Sequence, residues 1–354
     1  MKTGRSLVDL AQELSRQLKA KQDMIVPSPL MRFATDSGGT SKVTVEAPHG
    51  AAQFGITELA KRQLAEKLGI PYAYFERMRE KQPDLLDRNV NTWLHSEGDR
   101  RLVRTLDGNV RAVLSDRYRR LDNYDLAEHV LPILQRLPGG RLASVELTDT
   151  RMYLKWITSE VRQEIRPGDV VEAGVVVTNS EVGLGSLSVQ PLVYRLVCRN
   201  GLIATDHTMR KTHVGRLKET QDDAVTVFKD DTLEAEDKAF FLKVRDVVES
   251  AVSEVTFRQL AERMRRTLGI LLSGDPLKSV ETVGTKYLLN EEERNGVLRH
   301  LISGGDLSGY GLVNAVTHYS QEVADYDRAT DFEALGGKLL DLSAREWQEI
   351  AAAA

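Results

Sequence analysis

The sequence predicts an α+β fold: a mixed, mostly antiparallel sheet core with flanking helices and a helical C-terminal region. Three observations carry this expectation. From about Arg88 to Lys218 apolar and polar residues alternate mainly at strand spacing. Beyond about Asp222 the apolar period becomes helical. Within the strand-like stretch, Asp107-Gly108 joins two alternating runs, a strong hairpin signal.

In chain order, residues 5–22 place Leu7, Leu10, Leu14 and Leu18 on one helical stripe, which predicts an N-terminal helix within residues 1–24. MIVPSPLMRF reads as an extended linker, because each proline biases its predecessor away from helix. SKVTVEA alternates as a short strand. ITELAKRQLAEKLGIPYAYFERMRE reads as two helices broken at Leu68–Pro71, with Thr57 as N-cap and Pro71 suited to a first turn.

LVRTL and NVRAVLS form the Asp-Gly hairpin. With a two-residue turn Leu106 pairs with Asn109, and Arg104 falls opposite Arg111. SVELT and RMYLKWI form a second hairpin; VVEAGVVVTN, GSLSVQ and PLVYRLVCRNGLIA continue the sheet, with GLGSLS at a turn. DNYDLAEHVLPILQRL is a helix capped by Asp122 or Asn123. The predicted organisation is a helix at 1–24, an α+β core with a basic sheet at 25–218, and a helical region at 219–354.

The chain has 354 residues, 41% hydrophobic and 28% charged, with a formal net charge of -4. Its apolar runs are too short to span a bilayer and its first residues lack a signal peptide's apolar segment. The single cysteine, Cys198, allows no intramolecular disulfide. These features predict a cytoplasmic protein with no membrane partner.

The mild net charge conceals an asymmetry. Residues 100–120 carry seven arginines against two acids, and residues 195–218 six basic residues against Asp206 alone. Residues 219–254 reverse the balance, with eleven acids and four bases. Arg104 opposite Arg111 would be destabilising unless acids or an anionic ligand neutralised the pair. In LVYRLVCR the alternation sets Tyr194 and Cys198 on a core-facing side, and Arg195 and Arg199 on the side that meets solvent or phosphate.

Other motifs are weaker. KRQLAEKLGIPYAYFERM has helix-turn-helix spacing and would present Tyr72, Arg77 and Arg79, but an αα-corner packed on the sheet explains it as well. Cys198, His207 and His213 match no compact zinc spacing. GLGSLS lacks the lysine of a phosphate loop. Asp116, Asp122, Asp125 and Glu128 are the one acidic set open to a nuclease reading. No cofactor and no metal site is expected.

Several phrases together carry a resemblance: QLAEKLGIPYAYFERM, LLDRNVNTWL, VRTLDGNVRAVLSDRYRRLDN, PLVYRLVCRNGL and NAVTHYSQEVADYDRATDFEALGGKLLDL. They resemble the phage/plasmid-like proteins of domain-of-unknown-function family 932, over roughly residues 25–342. The resemblance implies a mobile-element gene and brings no catalytic residues with it.

The resulting expectation is a mobile-element protein that binds nucleic acid, single-stranded DNA in preference, binding or annealing it in recombination or replication. Arg104, Arg111, Arg117, Arg119, Arg120, Arg195, Arg199, Arg210 and Lys211 would follow phosphates, and Tyr118 would stack a base. The acidic segment after Glu219 would meet a neighbouring subunit's basic patch or occupy the groove, so a homo-oligomer is one expected partner. The alternatives are a regulatory or host-interaction protein using the 57–80 helix pair and, third, a metal-dependent nuclease.

Overall fold

Two sheets organise the chain, each in its own unit. The computed structural model describes residues 1–47, 50–96, 98–118, 120–185, 187–204 and 230–353, excepting the side chains of 47 and 230–237. The smaller unit comprises Ala11–Tyr124 with Ser180–Gly185; the larger comprises Met1–Leu10, Asp125–Asn179 and Ser186–Ala354. The fold is α+β, with a helical C-terminal region; α1 (Leu7–Ala20), α5 (Asn123–Gln135) and α6 (Asp230–Ala251) are among the helices of the fold.

In the smaller unit, β1 (Gln22–Pro27), β2 (Met31–Thr35), β3 (Ser41–Ala47), β4 (Gly50–Ile56), β5 (Arg100–Leu106) and β6 (Asn109–Ser115) form one sheet in the order β1-β5-β6-β4-β3-β2. Only β4 and β6 pair in parallel among these neighbours. Helices α2 (Glu58–Lys67), α3 (Tyr72–Lys81) and α4 (Pro83–Ser96) cover one face. Phe33, Val43, Val45, Val103 and Val113 meet Leu64, Phe75, Leu86, Val90 and Leu94 there. Each such side chain contributes about 1.5–3 kcal/mol on burial. The Thr57 hydroxyl accepts from the Ala60 N–H at 3.3 Å, which caps α2 as expected.

Two local expectations are corrected here. MIVPSPLMRF is not a linker, because Met24 and Val26 pair within β1 against β5, and Met31 and Phe33 within β2. Pro27 ends an edge strand, where a missing N–H costs little, and Pro29 lies in the single 3-10 turn between the strands. Residues 83–96, partly inside the stretch read as strand, form a helix. Leu86, Val90 and Leu94 recur at i+4 and are all buried against the sheet.

In the larger unit, β7 (Gly140–Leu147), β8 (Met152–Arg166), β9 (Asp169–Asn179), β10 (Ser188–Arg195) and β11 (Asn200–Ile203) make an antiparallel sheet in the order β11-β10-β9-β8-β7. Against it pack α7 (Glu254–Leu268), α8 (Pro276–Lys286), α9 (Glu291–Gly304), α10 (Gly309–Tyr319), α11 (Tyr326–Leu340) and α12 (Ala344–Ala351). Val171, Ala173, Val193 and Leu202 join Phe257, Leu260, Tyr310, Val316 and Phe332 in one core. Asn290 with Glu293, and Ser343 with Glu346, close capping boxes that fix the starts of α9 and α12. Among the described residues no helix is long and apolar enough to cross a membrane.

Candidate nucleic-acid interface

The arginine hairpin folds around its turn as its sequence requires. Asp107 and Gly108 adopt φ of 50° and 73°, the left-handed pair that a two-residue turn needs, and Leu106 pairs with Asn109. The register then shifts. Thr105 lies opposite Val110 but Arg104 lies opposite Ala112, so Arg111 is the extra residue of a β-bulge. Arg104 and Arg111 therefore do not face each other, which corrects the repulsive pair expected from the two-residue turn.

Both guanidinium groups are neutralised within the unit. Arg104 is fully buried. Its Nε and Nη2 donate to Asp23, the latter at 2.7 Å, Nη2 also reaches Asp122 at 2.5 Å, and Nη1 donates to the Glu181 carbonyl at 2.9 Å. Lys21 pairs with Asp122 from its other side. Arg111 pairs with the Glu181 carboxylate, whose second oxygen accepts from the Asn123 N–H at 2.5 Å. Burial alone would lower the Arg104 pKa, but its hydrogen bonds to Asp23 and Asp122 raise it, so its charge is secure. Neither Arg104 nor Arg111 is left to seek an external anion in this arrangement.

Tyr118 is half-buried with Leu102, Ala112, Leu114 and Val182, and its hydroxyl donates to the Ser180 carbonyl at 2.9 Å. Its ring is held by the core and offers no open stacking platform. Arg117 and Arg120 flank it, exposed and without an ion-pair partner among the described residues.

In the larger unit Arg195 is buried, which corrects its expected solvent-facing position. Its Nε and Nη2 clasp Asp169 at 2.6 and 2.5 Å, beside the Tyr310 ring, because α10 covers the strand face that alternation left open. Arg199 is exposed at φ 54° in the β10–β11 turn. Arg119, Arg210 and Lys211 lie outside the described residues, as do His207, His213 and the start of the acidic segment at 219–229.

A different surface of the smaller unit offers free cations. Along β2 and β3 the helix-facing residues alternate with Arg32, Ala34, Lys42 and Glu46, all exposed. Arg32 lies opposite Thr44 and Lys42 opposite Ala34; Thr44 in turn pairs with exposed Gln53 of β4. Arg32 and Lys42 have no ion-pair partner among the described residues. Leu102, Ala112 and Leu114, with Tyr118 packed on them, occupy this same face at β5 and β6. The face is thus sealed over β5–β6 and open over β2–β4, with Arg117 and Arg120 in the sealing loop. Lys42 was legible from the alternation of SKVTVEA. Arg32 is not legible, since Pro27 and Pro29 interrupt the alternation around its strand.

The other expected sites are divided. In the 57–80 pair Phe75 and Ala65 are buried and Gly69 has φ 65°, as an αα-corner requires. Tyr72 bonds Glu58 and Glu76, Arg79 bonds Glu76 and the Gly39 carbonyl, and Arg77 remains exposed. Among the described residues no three His, Cys, Asp or Glu side chains are placed to hold a metal ion. Asp122 is engaged by Arg104 and Lys21.

Sequence reading also passed over a wholly buried ion pair. Lys155 of β8 and Glu333 of α11 are both fully buried, with Nζ 2.7 Å from Glu333 Oε2 and 3.0 Å from Thr330 Oγ1. The available signal was a lysine between Leu154 and Trp156, in a strand apolar enough to be covered on both faces.

Comparison with family models gives a match over residues 111–345 to a family described as a domain of unknown function (DUF932). No curated protein and no solved structure matches the chain.

Proposed function

The chain belongs to the DUF932 family, whose description assigns no activity, and from the geometry above we propose that it binds single-stranded nucleic acid through the open half of the smaller unit's sheet. One observation carries this reading. Arg32, Lys42, Arg117 and Arg120 are exposed cations without ion-pair partners among the described residues, gathered on one sheet face or the loop packed over it. Phosphates would run across β2–β4, with Thr44 and Gln53 offering neutral hydrogen bonds between the charges. Among the described residues no aromatic ring is exposed along this face, so binding would follow the backbone rather than the bases. Such stoichiometric binding suits recombination or replication of a mobile element, the setting implied by the family resemblance.

Fluorescence anisotropy with labelled single-stranded and duplex oligonucleotides, across a salt series, tests the proposal. Four phosphate contacts correspond to a slope of log affinity against log salt of about -3 for a single strand. The Arg32→Ala/Lys42→Ala variant is expected to roughly halve that slope, and Arg117→Ala/Arg120→Ala to do the same. Absence of binding at low salt would sink the reading.

A second reading has its own support. Tyr74 on α3 and Leu85 and Trp93 on α4 are 46%, 39% and 47% exposed, and Arg77, one turn from Tyr74 on α3, is exposed without an ion-pair partner among the described residues. Exposed aromatic and arginine residues are enriched at protein interfaces. A regulatory or host-interaction protein would lose partner binding on Tyr74→Ala/Trp93→Ala while its anisotropy curves stayed unchanged.

A further inference from the structure

The larger unit contains a groove of about 570 Å³ at the start of α9 and the end of α10, within the size range of small-ligand sites. Its floor is Gly296 against Tyr319. A Cβ on Gly296 would stand 2.1 Å from Tyr319 Cε2, so a glycine is what lets the helix backbone close on the ring. Phe332 holds that ring from another side, edge to face, with centroids 5.0 Å apart.

The polar groups of the groove are unevenly satisfied. Tyr319, a lining residue, is only 7% exposed, and its hydroxyl has no hydrogen-bond partner among the described residues; it is not one of the fully buried unpartnered atoms, so it keeps open access on the groove side. Glu291 and Glu292, in the first turn of α9, are exposed and unpaired among the described residues. Their neighbour Glu293 differs: Arg328 and the capping box with Asn290 occupy both its oxygens. Across the groove Glu322 pairs with Arg299 and with His300 Nε2, the latter at 2.8 Å.

Three carboxylates therefore face one guanidinium. The helix N-terminus adds about half a positive charge, too little to balance two full carboxylates at the mouth. Glu291 and Glu292 are surplus acceptors beside a hydroxyl free to accept, and among the described residues no cation pairs with these two carboxylates.

We propose that this groove binds a primary ammonium or guanidinium group, with Glu291, Glu292 and the Tyr319 hydroxyl receiving its N–H donors. The inference does not depend on the nucleic-acid reading, since every residue it uses lies in the larger unit. Two sources present that chemistry: a free polyamine, or a lysine or arginine side chain of a peptide.

Isothermal titration calorimetry on the full chain at low salt distinguishes them, using spermidine in one arm and short tri-lysine and tri-arginine peptides in the other. Binding by the wild type is expected to weaken at least tenfold in Glu291→Gln/Glu292→Gln and several-fold in Tyr319→Phe. The second variant removes only an unpartnered oxygen, so its melting temperature should match the wild type, which separates lost binding from lost folding. Heat with spermidine alone assigns the groove to polyamines, and heat with a peptide alone assigns it to a basic segment; either supports the proposal. No heat with any probe, or equal affinity in the wild type and both variants, overturns it.

Discussion

Among the described residues each unit buries one basic side chain completely, and the two are solved differently. Arg104 in the smaller unit distributes its donors over Asp23, Asp122 and the Glu181 carbonyl, and Asp122 is further supported by Lys21. Lys155 in the larger unit has a single counter-charge, Glu333, helped by Thr330 and by the Tyr326 ring 4.6 Å away. Glu333 Oε1 is left without a hydrogen-bond partner. The difference follows from side-chain chemistry. A planar guanidinium can knit several acceptors into a network, whereas an ammonium is a point charge that one carboxylate can neutralise. The network depends less on any one member; the isolated pair depends wholly on both.

That contrast can be broken most sharply at the isolated pair. Lys155→Met would strand the Glu333 carboxylate in the core and is expected to cost about 4 kcal/mol in urea denaturation. Lys155→Met/Glu333→Leu should recover most of that loss, because two well-packed apolar side chains replace a pair whose desolvation offsets its attraction. A double variant as unstable as the single one would show that the pair has a role beyond charge neutralisation.

A smaller effect is expected in the network. Arg104→Met leaves Asp23 and Asp122 behind, but Lys21 still serves Asp122, so the cost should be nearer 3 kcal/mol. The same variant sharpens the functional question. Since Arg104 is sealed, its loss should leave the salt slope of oligonucleotide binding unchanged, in contrast to Arg32→Ala/Lys42→Ala.

The smallest effect is a pH dependence. Burial by itself would raise the Asp122 pKa, but hydrogen bonds from Lys21 and Arg104 outweigh it and hold the carboxyl below its ordinary value. A carboxyl depressed in the folded state contributes stability above its unfolded pKa, near 3.9, and loses it as pH falls through the folded value. Denaturation midpoints of the wild type should therefore fall with acidification below about pH 4. Asp122→Asn should start lower at neutral pH and show a flatter profile through that window; an unchanged slope would remove Asp122 from the acid response.

The hairpin shows how far local reading reaches. Asp107-Gly108 and the Leu106–Asn109 pairing were legible because a two-residue turn is decided by the backbone freedom of its own residues. The bulge at Arg111 was not, because the residues that hold Arg104 and Arg111 come from far along the chain, at Asp23, Asp122 and Glu181. For the same reason the arginine surplus at 100–120 pointed toward an external anion, whereas the side chains of Arg104 and Arg111 are neutralised inside the unit. The outward stripe of β3 was readable from its period of two. That of β2 was hidden by two prolines, each of which is tolerated at a sheet edge or in a turn.

By itself the sequence determined the α+β class, the helix cap at Thr57, the Asp-Gly hairpin and the helical character of the C-terminal region. These depend on groups within a few residues of one another, so local periodicity and capping chemistry suffice. Only the tertiary structure decided which of the charged side chains are free. A strand sets two faces but not what covers them. It took α10 over Arg195, the Ser180–Gly185 segment beside Arg104 and Arg111, and open space beside Arg32 and Lys42 to divide structural cations from available ones.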